Sequence, residues 1–581
     1  SSMCTRCCMN ERVFLSLLYV CLFFVCAEGE QEEQWLADAG LSNLISDDSG
    51  ECEDVDKAAL LSTLTRTQAE AVQRRIDSYT RSLRKRNKPP PRDVRDIFHS
   101  PISQVKTASA SVTQDQHGGP KDEIFITDVA YCEQAVILIK QASLPQTTYH
   151  RRKEDGTLPR VVCPKCRMGV TRIYDLSHTD MKKVRQLALI DMTALSDLLE
   201  LEVKRHKSGK RKIPESSLFG VPLATLLEND QKVKPHTSIP LFMQALLSFL
   251  EKKGLDSEGI LRVPGSLSRI KVLQQSLDGT FYSGQFSWDD VSPNDAAALL
   301  KKFIRELPAP ILTPEYLNTF SAVRDITDLK QKLHMLNLLI LLLPEPNRNT
   351  LKALLEFLSK VVSREKKNRM NLWAVATIMA PNLFLHKAVP SKLTEGSEKG
   401  QVEKAADVMR LLIRYQDLLW TVPNFLMSQV RRLNENSSRR YQFYDRRIKN
   451  LLRKSHTDSR EKREKNVPEM CRTVKIQVGD TQTSTMEFHL NINSRTSDLL
   501  AQFQRQFLHS PENGKGKMRR YDVNYFIKVN GSLALPDCAL YEVGGNIGDH
   551  CLDPDTHLQD LYNSNPGGEW VIRVKAHSRL V

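Results

Sequence analysis

The stretch "MLNLLILLLP", residues 335–344, constrains this chain more than any other. Apart from Asn337 and the closing Pro344 every side chain in it is apolar. A helix that is apolar all round has no face to give to water and belongs at the centre of a bundle. The next segment, "TLKALLEFLSKVVS", places Leu351, Leu354, Leu355 and Leu358 at i, i+3, i+4 and i+7, which is one buried stripe on an amphipathic helix. Several further amphipathic stretches lie between Leu218 and about Phe425, separated by turns that carry Pro and Gly, and few of them alternate with the period of a strand. The block from 218 to 425 is therefore expected to be an all-α bundle of about 200 residues, and the chain as a whole mainly α.

The pattern changes at Arg472. "RTVKIQVGD" and "STMEFHLNIN" alternate like paired strands around Gly479-Asp480. "RTSDLLAQFQRQFL" reads as an amphipathic helix, and the strand-like pieces "NYFIKVNG", "CALYEVGG" and "EWVIRVKA" follow. Two strands, a helix and more strands is the order of an α+β ubiquitin-like roll, here expected over 469–577. It is similar to a Ras-associating fold in layout only, and a packing module is the favoured reading. Upstream, 31–98 is acidic and then helical, ending at Pro89-Pro90-Pro91, and 99–217 is a mixed linker in which a helical pair is expected between Arg172 and His206. The N-terminal regions are read as helical or disordered.

Charge is concentrated rather than spread. The net charge is +14, and between Arg431 and Lys465 there are 13 Lys/Arg against 5 Asp/Glu. This region, inside a basic helical connector at 426–468, is expected to be solvated. Contact with an anionic membrane is the functional alternative. Nucleic acid fits less well, because Tyr441, Phe443 and Tyr444 cluster instead of interleaving with the charge. At the start, Arg6 and Arg12 precede an apolar run from Val13 to Ala27 that resembles a secretory leader over residues 1–30 and is short for a membrane span. The cysteines argue the other way. Five of the 12 lie in or before that run, and the remaining seven are scattered over roughly 500 residues, unlike a disulfide framework. The body is accordingly read as cytoplasmic. Cys163 and Cys166 have metal-like spacing, but a structural zinc needs four ligands and no second pair lies nearby, so no metal is expected.

One arginine stands apart. In "SEGILRVPGS", residues 257–266, Arg262 follows Ile260 and Leu261 and precedes Pro264-Gly265. Glycines on both sides and the proline indicate a tight, shaped loop. A guanidinium keeps its proton and is poor company for Ile and Leu, so the loop holds it out. Downstream, Ser292 is a good N-cap, Pro293 suits the first helical position and Asp295 follows. Leu300, Phe303, Ile304 and Leu307 make the apolar stripe of this helix, Pro308 ends it, and Lys301 and Arg305 share a neighbouring face. In "APNLF", Asn382 follows Pro381, where a helix C-cap is the plain reading.

Together with "FGVPLATLL", "DAAALLKKFIRELPAPIL", "LLLPEPNRNTLKALLEFL" and "RMNLWAVATIMAPNLF", these residues resemble the RhoGAP family, the activators of Rho-type GTPases. The flanking "WLADAGLSNLI", "LLSTLTRTQAEAVQ" and "GVTRIYDLS" look like the subgroup of Rho GTPase-activating proteins 18, 28 and 40. The resemblance implies that Arg262 is an arginine finger supplied in trans to the GTPase. It also implies that Lys301 and Arg305 support the finger loop and meet the partner, and that Asn382 hydrogen-bonds at the interface. The expected partner is a Rho-family GTPase in its GTP state, RhoA above all, and no cofactor belongs to this chain: GTP and Mg²⁺ are held by the GTPase, in keeping with the lack of a Walker A motif. Such a chain is an activator and not an enzyme with its own substrate. One departure is Ala374, where the family usually carries an asparagine eight residues before Asn382. A catalytically weak GTPase-binding scaffold is the alternative that this position raises.

Overall fold

The computed structural model describes residues 30–41, 59–86, 123–125, 129–142, 158–162, 166–201, 217–386, 398–437, 472–479, 485–508, 527–529, 532–534 and 538–574. The leader-like run, Cys163 and the connector from 438 to 471 lie outside these residues.

The all-apolar stretch lies where its composition requires. Within the Leu329–Leu342 helix, every residue from Leu333 to Leu342 is buried. Part of its coat comes from outside the 218–425 block. The Tyr131 ring, at the start of the Tyr131–Ala142 helix, stacks on His334 with centroids 3.8 Å apart, and its hydroxyl donates to Asn337 Oδ1 at 3.2 Å. Asn337 Nδ2 donates to the Leu419 and Thr421 carbonyls, both at 2.9 Å. The one amide in the run is thus fully partnered, as a buried polar group has to be.

Where a helical pair is expected, the described residues 172–201 hold a short 3-10 turn, Ile173–Asp175, followed by one long α-helix. His178–Leu198 runs unbroken from a Ser177 N-cap whose hydroxyl accepts from the Asp180 amide. It contains no Gly or Pro to end it, and it is buried on most faces. It forms the floor on which the N-terminal helices rest: Trp35 Nε1 donates to Thr193 Oγ1 at 3.0 Å, and Gln68 Nε2 donates to Asp191 Oδ1 at 2.8 Å. A single apolar core consequently runs from Trp35 through the bundle to Leu433. The stripe Leu351, Leu354, Leu355 and Leu358 is buried within Glu345–Ser363, as its spacing predicts.

The C-terminal roll has a five-stranded sheet in the order Asp549–Cys551, Cys538–Val543, Glu569–Val574, Arg472–Val478, Thr485–Leu490. Glu569–Val574 and Arg472–Val478 are parallel, with Val571 opposite Gln477, while the other neighbours are antiparallel. Leu499 and Phe503 of the Thr496–Leu508 helix share one apolar core with Ile476, Phe488 and Trp570 of this sheet. Ile527–Val529 and Ser532–Ala534 form a separate hairpin.

This roll is docked on the bundle. Arg431, on a helix from 424 to 437, places Nη1 at 2.8 Å and Nη2 at 2.7 Å from the two Glu542 oxygens. Asn434 Nδ2 donates to the Asn546 carbonyl at 3.0 Å, and the Gly548 amide donates to Asp180 Oδ2 at 2.8 Å. A Cβ at position 548 would sit 2.8 Å from that carboxylate oxygen, so the approach requires glycine. Arg431 opens the basic run in the sequence, yet its charge is spent inside the fold. Among the described residues no helix is long and apolar enough to cross a membrane.

Candidate active-site loop

Arg262 is exposed at the tip of a turn, directly after Ile260 and Leu261, which are both fully buried. The backbone is left-handed at Gly259, with φ of 68°, and again at Leu261, with φ of 71°. Glycine adopts this conformation freely, whereas leucine there costs on the order of 1–3 kcal/mol and persists only where its surroundings over-determine it. They do so here. The Gly259 amide donates to the Asn368 carbonyl at 2.8 Å, and the amides of Arg262 and Val263 both donate to the Gly259 carbonyl at 2.8 Å. Lys301 Nζ donates to the Leu261 carbonyl at 2.6 Å. Burial, and after it the charge of Arg305, holds the half-buried Lys301 ammonium below the usual lysine range.

The far side of the loop is tied to the start of the Pro293–Glu306 helix. Asp295 Oδ1 accepts from the Ser266 amide at 2.8 Å, and Oδ2 accepts from Ser292 Oγ at 2.7 Å and from Arg269 Nε at 2.9 Å. Burial alone would raise the Asp295 pKa. The donors from Ser292, Ser266 and Arg269 override it and hold the carboxyl below the ordinary aspartate value. Gly265 fits because a Cβ there would lie 2.7 Å from Asp295 Oδ1. One turn along the same helix from Lys301, Arg305 Nη1 donates to Asn382 Oδ1 at 2.7 Å, and Asn382 Nδ2 donates to the Ile378 carbonyl at 2.9 Å. Asn382 is buried inside the Leu372–Phe384 helix, whose C-cap is Leu385, so the C-cap reading of Asn382 is corrected. Val263 and Leu267 flank the arginine, 39% and 86% exposed, and give the cation an apolar rim suited to a macromolecular partner.

Comparison with known proteins bears on the whole chain. The RhoGAP domain matches residues 240–388, a C-terminal ubiquitin-like domain like that of Rho GTPase-activating protein 40 matches 473–575, and an N-terminal SAM domain like that of Rho GTPase-activating protein 18 matches 21–87. The chain is 49% identical to human Rho GTPase-activating protein 40, with 94% of this chain and 83% of that protein covered. It is 42% identical to human Rho GTPase-activating protein 18 and 35% identical to the mouse protein 28, each over 94% of this chain and 84% of the relative. The chain belongs to the Rho GTPase-activating protein family. RhoGAP members stimulate GTP hydrolysis by partner GTPases, and their partners are Rho-family small GTPases.

Arg262, Lys301, Arg305 and Asn382 all fall within the RhoGAP match. Ala374 is half-buried in the first turn of the Leu372–Phe384 helix, where its amide donates to the N-cap oxygen of Asn371 at 2.8 Å. The nearest asparagine side chain is thereby used as a cap. Two residues that the sequence does not single out for the loop are Asn368 and Asp295. Asn368 has a remote carbonyl contact with no sequence signature. Asp295 stands out as a cap-box residue, and the close approach demanded by Gly265 is the signal that could have extended its role.

Asp295→Ala removes three accepted hydrogen bonds at a buried position. It is expected to destabilise the chain by about 1–3 kcal/mol, read by urea unfolding, and to speed hydrogen exchange at the Ser266 amide. Unchanged exchange there would show that the loop is held without the carboxylate.

Proposed function

We infer that this chain completes the active site of a Rho-class GTPase, RhoA in the first place, by inserting Arg262 in trans beside the GTP that the partner holds with its Mg²⁺. On this reading it has no substrate or cofactor of its own. The observation that carries the reading is the loop itself: an exposed guanidinium directly after a buried, left-handed leucine whose carbonyl is gripped by Lys301. A cation held out on so rigid a backbone is pre-aimed, and pre-aimed charge is what a developing phosphoryl transition state rewards. Lys301 and Arg305 lie on the helix that supports the loop, and the Arg305–Asn382 bond fixes the face that would meet the GTPase.

Single-turnover hydrolysis by GTP-loaded RhoA, Rac and Cdc42, each with and without the full chain, tests this directly. Acceleration greatest for RhoA is the expected result. Ala374 supports a second reading, a scaffold that binds the GTP state and adds little rate. Tight binding without acceleration would favour it, and activity appearing in Ala374→Asn would locate the cause at that position. Contact of the connector with anionic membrane belongs to the same reading of a cytoplasmic activator recruited to its partner. It would rest on the basic residues after Arg431, which is itself engaged with Glu542.

A further inference from the structure

Away from the finger loop, a cavity of about 910 Å³ lies between the segment that precedes the bundle and the bundle itself. It is bounded by the first turns of two long helices, His178–Leu198 and Glu345–Ser363, and by the turn at 234–238. The helix N-termini bring partial positive charge. The side chains add full charges: Lys182, Arg185, Lys234, Arg348 and Lys352 line the cavity against one carboxylate, Glu345. Among the described residues only Lys352 is matched, by Glu356 at 2.7 Å. Lys182 and Lys234 are exposed and engage no ion pair among the described residues.

Arg348 decides the reading. It is only 7% exposed, and among the described residues its guanidinium makes one hydrogen bond, from Nη1 to the Leu343 carbonyl at 3.2 Å. Burial lowers its pKa to about 10, with Arg185 adding to the effect and Glu345 opposing it. A nearly buried guanidinium without a bonded carboxylate is costly, and an anion in front of it would remove most of that cost. Trp420, 4% exposed on the same wall, has an indole N–H with no acceptor among the described residues. The neighbouring cavity of about 490 Å³ shares Lys182 and Arg185 but is faced by Glu30, Asp38 and Glu315, so carboxylates outweigh its cations and it suits no anion.

We propose that the larger cavity binds a multiply phosphorylated small anion of the inositol polyphosphate type, free or as the headgroup of a lipid. A single phosphate would reach one or two of these cations. Three separate elements supply them around a volume in the usual range for small-molecule sites, about 300–1,000 Å³, so several phosphates on one compact ring match the arrangement. The ligand would tie Lys182 and Arg185, which precede the RhoGAP match, to Arg348 inside it.

The test uses the full chain. Calorimetry with inositol hexakisphosphate is run at about 0.15 M salt, with inorganic phosphate as control, beside sedimentation with vesicles containing phosphatidylinositol bisphosphate or phosphatidylserine of equal charge. The double variant Lys182→Glu/Lys234→Glu changes two exposed side chains, so the melting temperature without ligand should stay that of the wild type. Binding of the hexakisphosphate, weakened by about tenfold or more in the double variant, supports the proposal with a free anion as the source. Preference for the bisphosphate vesicles over phosphatidylserine, lost in the same variant, supports it with a lipid source. No binding of either probe, or binding that the double variant leaves intact, overturns it.

Discussion

Arg262→Ala is expected to lower the single-turnover rate of partner GTP hydrolysis by about 10³- to 10⁵-fold, while binding to the GTP-loaded partner changes far less. That loss corresponds to roughly 4–7 kcal/mol of barrier. The split between rate and binding follows from how the loop is built. Its shape depends on backbone atoms, the Gly259 and Leu261 carbonyls and the amides of Arg262 and Val263, and on the buried side chains before the tip. Among the described residues no hydrogen bond holds the Arg262 guanidinium, so truncating it should leave the scaffold intact and remove only the charge proposed to reach the phosphoryl group. Arg262→Lys restores a point charge without the planar fork and should recover a small part of the rate. A variant within tenfold of the wild-type rate would show that the acceleration, if present, comes from ordering the GTPase alone.

The sequence reads clearly where the chemistry is local. An all-apolar run has to be interior, a Ser-Pro-x-Asp start has to cap a helix, and both are found at Leu329–Leu342 and Pro293–Glu306. The exposed tip of the Arg262 loop follows from Gly, Pro and one arginine among apolar neighbours. The sequence does not disclose the grip on that loop. The left-handed leucine has no side-chain signature, and Lys301 reaches Leu261 across 40 positions of chain. The burial of polar residues in the segment before the bundle is hidden for a related reason. Thr193 and Asp191, polar positions inside the His178–Leu198 helix, are paired with Trp35 and Gln68 from the N-terminal helices. Long-range partners likewise turn Arg431 from a solvated connector charge into a buried structural one.

That buried pair yields the second large effect. Glu542→Gln should destabilise the chain by about 3–5 kcal/mol, because it leaves the Arg431 guanidinium, 8% exposed, without its counter-charge. Asn546 Oδ1, at 2.7 Å from Arg431 Nη1, supplies a dipole but no charge. Burial by itself would push the Glu542 pKa up. The hydrogen bonds from Arg431 and His550 overcome it and bring the value down from 4.5 to about 2. A depressed carboxylate stabilises the fold above its unfolded value and loses that contribution as the pH falls through its folded one. Wild-type stability should therefore decline between about pH 4.5 and pH 2, with the Glu542→Gln variant lacking this component of the slope. Arg431→Met combined with Glu542→Gln should be less destabilised than Glu542→Gln alone, since an apolar side chain leaves no charge to desolvate. The damage should also be confined to one end of the molecule. Arg431 and Glu542 join the bundle to the roll and share no partner with the loop that carries Arg262, so at temperatures where the bundle stays folded the rate of GTP hydrolysis should hold within a few-fold of wild type. A variant that unfolds with the wild-type midpoint at neutral pH, or keeps the wild-type acid slope, would show that the docking of the roll depends on its other contacts, Asp180 with Gly548 and Asn434 with Asn546, and not on this ion pair.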